Sequence, residues 1–256
     1  MTAGSFVWYE LMTTDRAAAT AFYQKVVGWG TAAAPAPHSE YTILTAETGP
    51  VGGLMTLPET AKKAGAPPHW VGYVEVDDVD AAAARATRLG GGTCVAPTDI
   101  ENVGRFAVVT DPQKAAIALF KAAPSDCAQP TPPMEAAGRV GWRELHAADG
   151  ASAFGFYGEM FGWQKGEAMD MGPGATYQIF LDHGVQVGGM FTKPPQEPVP
   201  YWLYYFNVGD IDAAKDRVTA GGGKVLNGPM EVPGGQWILQ AMDPQGAMFA
   251  LVAPKR

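Results

Sequence analysis

Cysteine is nearly absent: the 256-residue chain holds two, Cys94 and Cys127. Two thiols without a Cys-x-x-Cys spacing build neither a disulfide framework nor a thiolate zinc site. A reducing cytoplasm is the expected compartment. Basic charge is also scarce. Lys and Arg total 18 against 26 Asp and Glu, a net charge of −8, and no basic cluster occurs. Such a chain is a poor partner for phosphate backbones and for an anionic membrane surface, so neither nucleic acid nor membrane is expected. No apolar run approaches the length of a transmembrane helix. Met1-Thr2-Ala3-Gly4-Ser5 lacks the basic and apolar regions of a signal peptide. Phosphate loops are missing too. Gly90-Gly91-Gly92 and Gly221-Gly222-Gly223 follow helical runs instead of preceding them, and no Gly-Lys-Ser/Thr comes after. There is no Gly-x-Ser-x-Gly nucleophile elbow.

What is plentiful is apolar surface. Hydrophobic residues make up 47% and charged residues 17%, a globular composition with enough apolar side chains for a full core. The length allows one large or two ordinary domains. Internal similarity decides between them. VWYELMTTDRAAATAFYQKVVGW (7–29) aligns with GWRELHAADGASAFGFYGEMFGW (141–163). Trp8 matches Trp142, Glu10 matches Glu144 and Asp15 matches Asp149. Phe22-Tyr23 matches Phe156-Tyr157, and Gly28-Trp29 matches Gly162-Trp163. Further on, Val51-Gly52-Gly53 matches Val187-Gly188-Gly189, Trp70 matches Trp202, and Asp111-Pro112-Gln113 matches Asp243-Pro244-Gln245. Two tandem domains are expected, 1–121 and 140–256, joined by a Pro/Ala-rich linker at 122–139 that contains Cys127.

Each half carries a weaker repeat of roughly half its length. A run of β-formers and aromatics comes first. Asp15, Asp78, Asp149 or Asp210 then stands where a helix N-cap belongs, ready to accept from the orphan N–H groups of the first turn. An Ala-rich helix follows, with Ala18, Phe22 and Val26 as its apolar face in the first copy, and glycine past its end acts as a C-cap. Short strands separated by Gly/Pro turns complete the unit, at Tyr41–Thr45, Val51–Leu57, Arg105–Val109 and Ala115–Lys121. Each unit reads βαβββ, an α+β class.

Paired βαβββ modules with a strand–Asp–helix–Phe-Tyr–Gly-Trp opening and a closing Asp-Pro-Gln resemble the vicinal-oxygen-chelate superfamily. That superfamily contains glyoxalase I, extradiol dioxygenases and the bleomycin- and fosfomycin-resistance proteins. The resemblance implies two glyoxalase-like domains, each a curved half-barrel of two modules with a ligand or divalent metal in its cup. It also implies where metal ligands would stand. In this chain those positions are Trp8, Val71, Ala118, Trp142, Leu203 and Ala250. None of these side chains offers a lone pair to a metal, so no metal and no other cofactor is expected.

Strand alternation assigns the cup-facing residues. Trp8, Glu10 and Met12 share one face, as do Trp142, Glu144 and His146. Tyr73, Glu75, Tyr205 and Asn207 come from the second modules. Aromatic walls with a few polar groups suit a small organic ligand, with Trp8/Tyr73 and Trp142/Tyr205 stacking and Glu10, Glu144 and His146 as polar anchors. The expected function is metal-free binding of a planar, mostly apolar metabolite or antibiotic, by a monomer or homodimer. The alternative is an enzyme on the same scaffold, a lyase, isomerase or oxygenase. It would be metal-dependent or would use Glu144 and His146 as acid and base. Fold alone does not choose between them.

Overall fold

The computed structural model describes residues 3–34, 40–124 and 132–256. His38, Cys127 and the middle of the expected linker, 125–131, lie outside the described residues. The first module comprises β1 (Phe6–Thr13), α1 (Arg16–Val26), β2 (Gly30–Ala33), β3 (Thr42–Ala46) and β4 (Gly49–Thr56). A short α2 (Glu59–Lys63) leads to the second, β5 (His69–Glu75), α3 (Val79–Arg88), β6 (Gly92–Ile100), β7 (Gly104–Thr110) and β8 (Ala116–Ala122). The third holds β9 (Val140–Ala147), α4 (Gly150–Phe161), β10 (Gln164–Asp170), β11 (Thr176–Asp182) and β12 (Val185–Thr192). The fourth holds β13 (Tyr201–Asn207), α5 (Ile211–Ala220), β14 (Lys224–Val232), β15 (Gln236–Met242) and β16 (Met248–Ala253). The strands form two eight-stranded sheets, in the orders β2-β3-β4-β1-β5-β8-β7-β6 and β10-β11-β12-β9-β13-β16-β15-β14. The α+β class and the fourfold βαβββ pattern are as the sequence implies. No helix among the described residues is long and apolar enough to cross a membrane.

The helix starts follow capping chemistry. Asp15, Asp78, Asp149 and Asp210 each accept from the backbone N–H three residues on, at 2.8–3.0 Å, which satisfies one orphan donor of the first turn. Gly162 closes α4 in the left-handed conformation at φ 74°, open to glycine without a Cβ penalty. In α1 the buried stripe is Ala19, Phe22, Tyr23 and Val26. Ala19, not Ala18, starts it.

Compactness divides the chain across the sequence halves. One unit gathers 1–7, 71–131 and 143–202; the other gathers 8–70, 132–142 and 203–256. The repeated motifs build each unit's core. In the second unit Trp70 donates its indole N–H to the Tyr23 hydroxyl at 2.9 Å, and that hydroxyl donates to Asp243 at 3.2 Å. In the first, Trp202 donates to Tyr157 at 3.0 Å and Tyr157 donates to Asp111 at 3.2 Å. Every member of both chains is buried. Each Asp carboxylate also takes two backbone N–H groups of its own turn, from Gln113 and Ala115 or from Gln245 and Ala247. The Gly-Trp tryptophans act alike: Trp29 donates to the Gly138 carbonyl and Trp163 to the Gly4 carbonyl, both at 2.8 Å. Phe-Tyr, Gly-Trp and Asp-Pro-Gln are therefore packing motifs that join segments distant in sequence.

Candidate functional site

The matched glutamates owe their surroundings to glycine. In the parallel pairing of β9 with β12, Glu144 lies beside Gly189 and His146 beside Phe191. A Cβ on Gly189 would stand 2.0 Å from Cε1 of Tyr177 and 2.4 Å from its hydroxyl. Only glycine leaves room for that ring to lie across the strand. Tyr177 then reaches Glu144 and donates to its Oε2 at 2.9 Å. The second unit repeats the device. Glu10 lies beside Gly53, and a Cβ on Gly53 would meet the Tyr41 hydroxyl at 1.8 Å. That hydroxyl is hydrogen-bonded to Glu10 and accepts the Trp8 indole N–H at 2.8 Å. Burial, reinforced by the Glu10 carboxylate, pushes the Tyr41 phenol far above its usual range.

The units diverge at the next inward position. The second unit has Met12, half-buried beside Met55. The first has His146, only 3% exposed. Its Nε2 lies 2.9 Å from Glu144 Oε1 and its Nδ1 lies 2.7 Å from Glu197 Oε2. A neutral imidazole has one donor nitrogen, so a carboxylate on each side of the ring favours its protonated form. Burial alone would lower its pKa, but the hydrogen bonds and charges of Glu144 and Glu197 outweigh burial and raise it above 6.5. Tyr201 stacks on the ring at 4.4 Å and Phe191 meets it edge-on at 4.6 Å. Phe191 stacks in turn on Tyr177 at 5.7 Å. The Tyr201 hydroxyl is hydrogen-bonded to Glu197, and burial together with the two carboxylates raises its pKa strongly. Glu197 comes from the proline-rich segment between β12 and β13, where Lys193 donates to the Glu197 carbonyl. Glu144 and His146 are buried, whereas Tyr177, Phe191, Glu197 and Tyr201 are half-exposed.

The structure thus brings Glu144 and His146 into direct contact, and it ties Trp8 to Glu10 through Tyr41. The other sequence candidates have their own surroundings. Tyr73 is buried against Phe106 and Phe120. Glu75 is buried, with Oε1 3.7 Å from Lys121 Nζ and Oε2 without a hydrogen-bond partner among the described residues. Tyr205 is 1% exposed and accepts from Gln240 at 2.8 Å. Asn207 donates its amide N–H groups to the carbonyls of Met134 and Ala136. Trp142 is half-buried. Sequence reasoning missed Tyr41, Tyr177 and Glu197. The two tyrosines were findable, because they occupy matched places ahead of the Val-Gly-Gly motif; Glu197 has no counterpart that would have marked it.

The divalent metal implied by the resemblance does not fit this donor set. Trp8, Val71, Ala118, Trp142, Leu203 and Ala250 supply no lone pair. Both ring nitrogens of His146 face carboxylates. Among the described residues no three His, Cys, Asp or Glu side chains converge in a way that could hold a metal ion.

Comparison with known proteins agrees with this fold. The sequence profile of the Glyoxalase/Bleomycin resistance protein/Dioxygenase superfamily matches residues 5–119 and again 139–251. CFP32 of Mycobacterium bovis, provisionally named a glyoxylase, is 33% identical over 250 residues, covering 96% of this chain and 94% of its own. The anthracycline biosynthesis protein DauV of a Streptomyces species is 30% identical over 261 residues, covering 97% and 93%. Among solved structures, the Mn(II)-bound glyoxalase of Novosphingobium aromaticivorans superposes with a TM-score of 0.65 at 15% identity, over 98% of this chain and 82% of that one. A point mutant of homoprotocatechuate 2,3-dioxygenase from Brevibacterium fuscum gives 0.66 at 18% identity, over 97% and 70%. At such identities the solved structures share the fold alone.

Proposed function

The chain belongs to the glyoxalase/bleomycin resistance protein/dioxygenase superfamily, and from that premise we propose that it is a metal-free small-molecule binding protein. It sequesters or carries a planar, mostly apolar metabolite or antibiotic. One observation carries the reading: half-exposed Tyr177, Phe191 and Tyr201 surround a Glu144–His146–Glu197 chain whose first two members are buried. Partly exposed aromatic rings supply apolar area, while the polar chain they pack against sets orientation. The six side chains without lone pairs support the metal-free part. Relatives named for anthracycline biosynthesis support a polycyclic aromatic ligand.

The test is affinity for a planar tricyclic aromatic probe, read by fluorescence, alongside metal analysis of protein purified without chelator or affinity metal. Tyr201→Ala and Phe191→Ala each weaken binding at least tenfold, and Lys62→Ala does not. Equal affinity in all variants, or a stoichiometric metal whose removal lowers thermal stability, would sink the reading. A second reading, an acid–base enzyme, is favoured by the direct Glu144–His146 contact. Turnover lost in Glu144→Gln while binding persists would select it.

A further inference from the structure

The hydrogen-bond inventory of the first unit's site has a one-sided remainder. The donors seen among the described residues include the two ring nitrogens of His146 and the hydroxyls of Tyr177 and Tyr201. Each is directed at a carboxylate: His146 at Glu197 and Glu144, Tyr177 at Glu144 and Tyr201 at Glu197. The adjacent cation, Lys193, donates to the Glu197 backbone carbonyl. A carboxylate offers about four lone-pair sites. Glu197 uses Oε2 for His146, and its side chain stays 28% exposed at the edge of the aromatic surface.

From this count we infer that the site selects planar aromatic ligands carrying an O–H or N–H donor, a phenol or an aromatic amine, and rejects carboxylate and phosphate groups. The inference rests on the binding function proposed above. A ligand hydroxyl placed over Phe191 and Tyr201 finds the Glu197 carboxylate as its acceptor. A ligand anion finds two carboxylates there, and the ring N–H groups of His146 and the hydroxyls of Tyr177 and Tyr201 already hold them. Freeing a donor leaves a buried acceptor unsatisfied, which makes anion binding unfavourable. The same logic separates a hydroxyl from its methyl ether. The ether adds a second acceptor beside Glu197 and strips that carboxylate of water without replacing the hydrogen bond.

The experiment compares probes on one ring system: 2-naphthol, 2-naphthylamine, 2-methoxynaphthalene and 2-naphthoate, titrated by calorimetry at neutral pH. The naphthol or the amine binds at least tenfold tighter than the methyl ether, and naphthoate binds weakest. The tighter of the two donors tells phenol from amine recognition. In Glu197→Gln, which keeps the shape but turns one acceptor into a donor, the preference for the donor probes over the ether narrows at least fivefold and naphthoate gains affinity. Equal binding of naphthol, naphthylamine and the ether, or tightest binding of naphthoate, overturns the donor rule while the binding function stands. If none of the four binds, the binding function fails and the donor rule with it. The wild-type comparison needs no variant to fold.

Discussion

Replacing His146 by methionine, the residue its first-half counterpart Met12 already supplies, tests whether the central ion chain stabilises the fold. Two hydrogen bonds between charged partners are lost, at 2.7 and 2.9 Å, each worth about 1.5–3 kcal/mol. Two carboxylates are also left with no cation between them. Removing one partner of a buried ion pair costs about 3–5 kcal/mol, but Glu197, 28% exposed, recovers part of its hydration by turning outward. The expected loss is about 3–4 kcal/mol. For a cooperative unit of this size that lowers Tm by roughly 6–16 °C. Urea unfolding measures it, with equal m-values required. The pH dependence adds a second constraint. Because the folded pKa of His146 is raised, its stabilising contribution is complete below the unfolded value near 6.5 and is lost as pH rises through the folded value. The gap between wild type and His146→Met is therefore widest below about pH 6.5 and shrinks on the alkaline side. A loss under about 1 kcal/mol, or a gap that widens with pH, would refute the reasoning.

Other perturbations isolate other links. Tyr157→Phe leaves the Trp202 indole N–H without its acceptor and removes one donor from Asp111; with each such buried group costing about 1–3 kcal/mol, the loss in urea unfolding is about 2–4 kcal/mol. Gly189→Ala overpacks Tyr177 and costs about 1–3 kcal/mol. In a Tyr177→Ala background that cost falls by more than half, which a double-mutant cycle reads directly. Lys114 sits at φ 81° where its counterpart Gly246 has φ 100°, so Lys114→Gly relieves strain and raises stability by up to about 1 kcal/mol. Burial holds the Asp111 carboxyl above its usual range, so its ionisation costs stability as pH climbs from about 3.8 through the raised value. Asp111→Asn shows a shallower pH slope of unfolding free energy over that interval.

Much of the fold was legible because its signals are local. Four aspartates in N-cap position located four helices. Strand alternation placed Trp8 with Glu10, and Glu144 with His146, on shared faces, as their hydrogen bonds require. The site was legible only in part. Glu197 lies in a loop whose path depends on four prolines and a contact to His146, and no periodicity reports that. Asn207 and Tyr205 alternate correctly into the same strand face, yet their polar groups serve Met134, Ala136 and Gln240. Face assignment says where a side chain points and nothing of the partner that already holds it. The cross-sequence pairing of Tyr23 with Asp243 and of Tyr157 with Asp111 was equally silent, because each half shows both motifs and does not say which copy meets which.

That pairing has a consequence for how the chain is made. The second unit holds residues 8–70 and 203–256 together, and its central hydroxyl, on Tyr23, waits for a carboxylate on Asp243. During synthesis, at about 5–20 residues per second, the first module spends roughly 10–40 s outside the ribosome before that partner emerges. Its aromatic helix face is meanwhile uncovered, the state in which nascent chains aggregate or recruit chaperones. Truncations that remove β15 and β16 would therefore take Asp243 from Tyr23 and Phe249 from Phe22, and the damage would appear in the first module, far along the sequence from the cut.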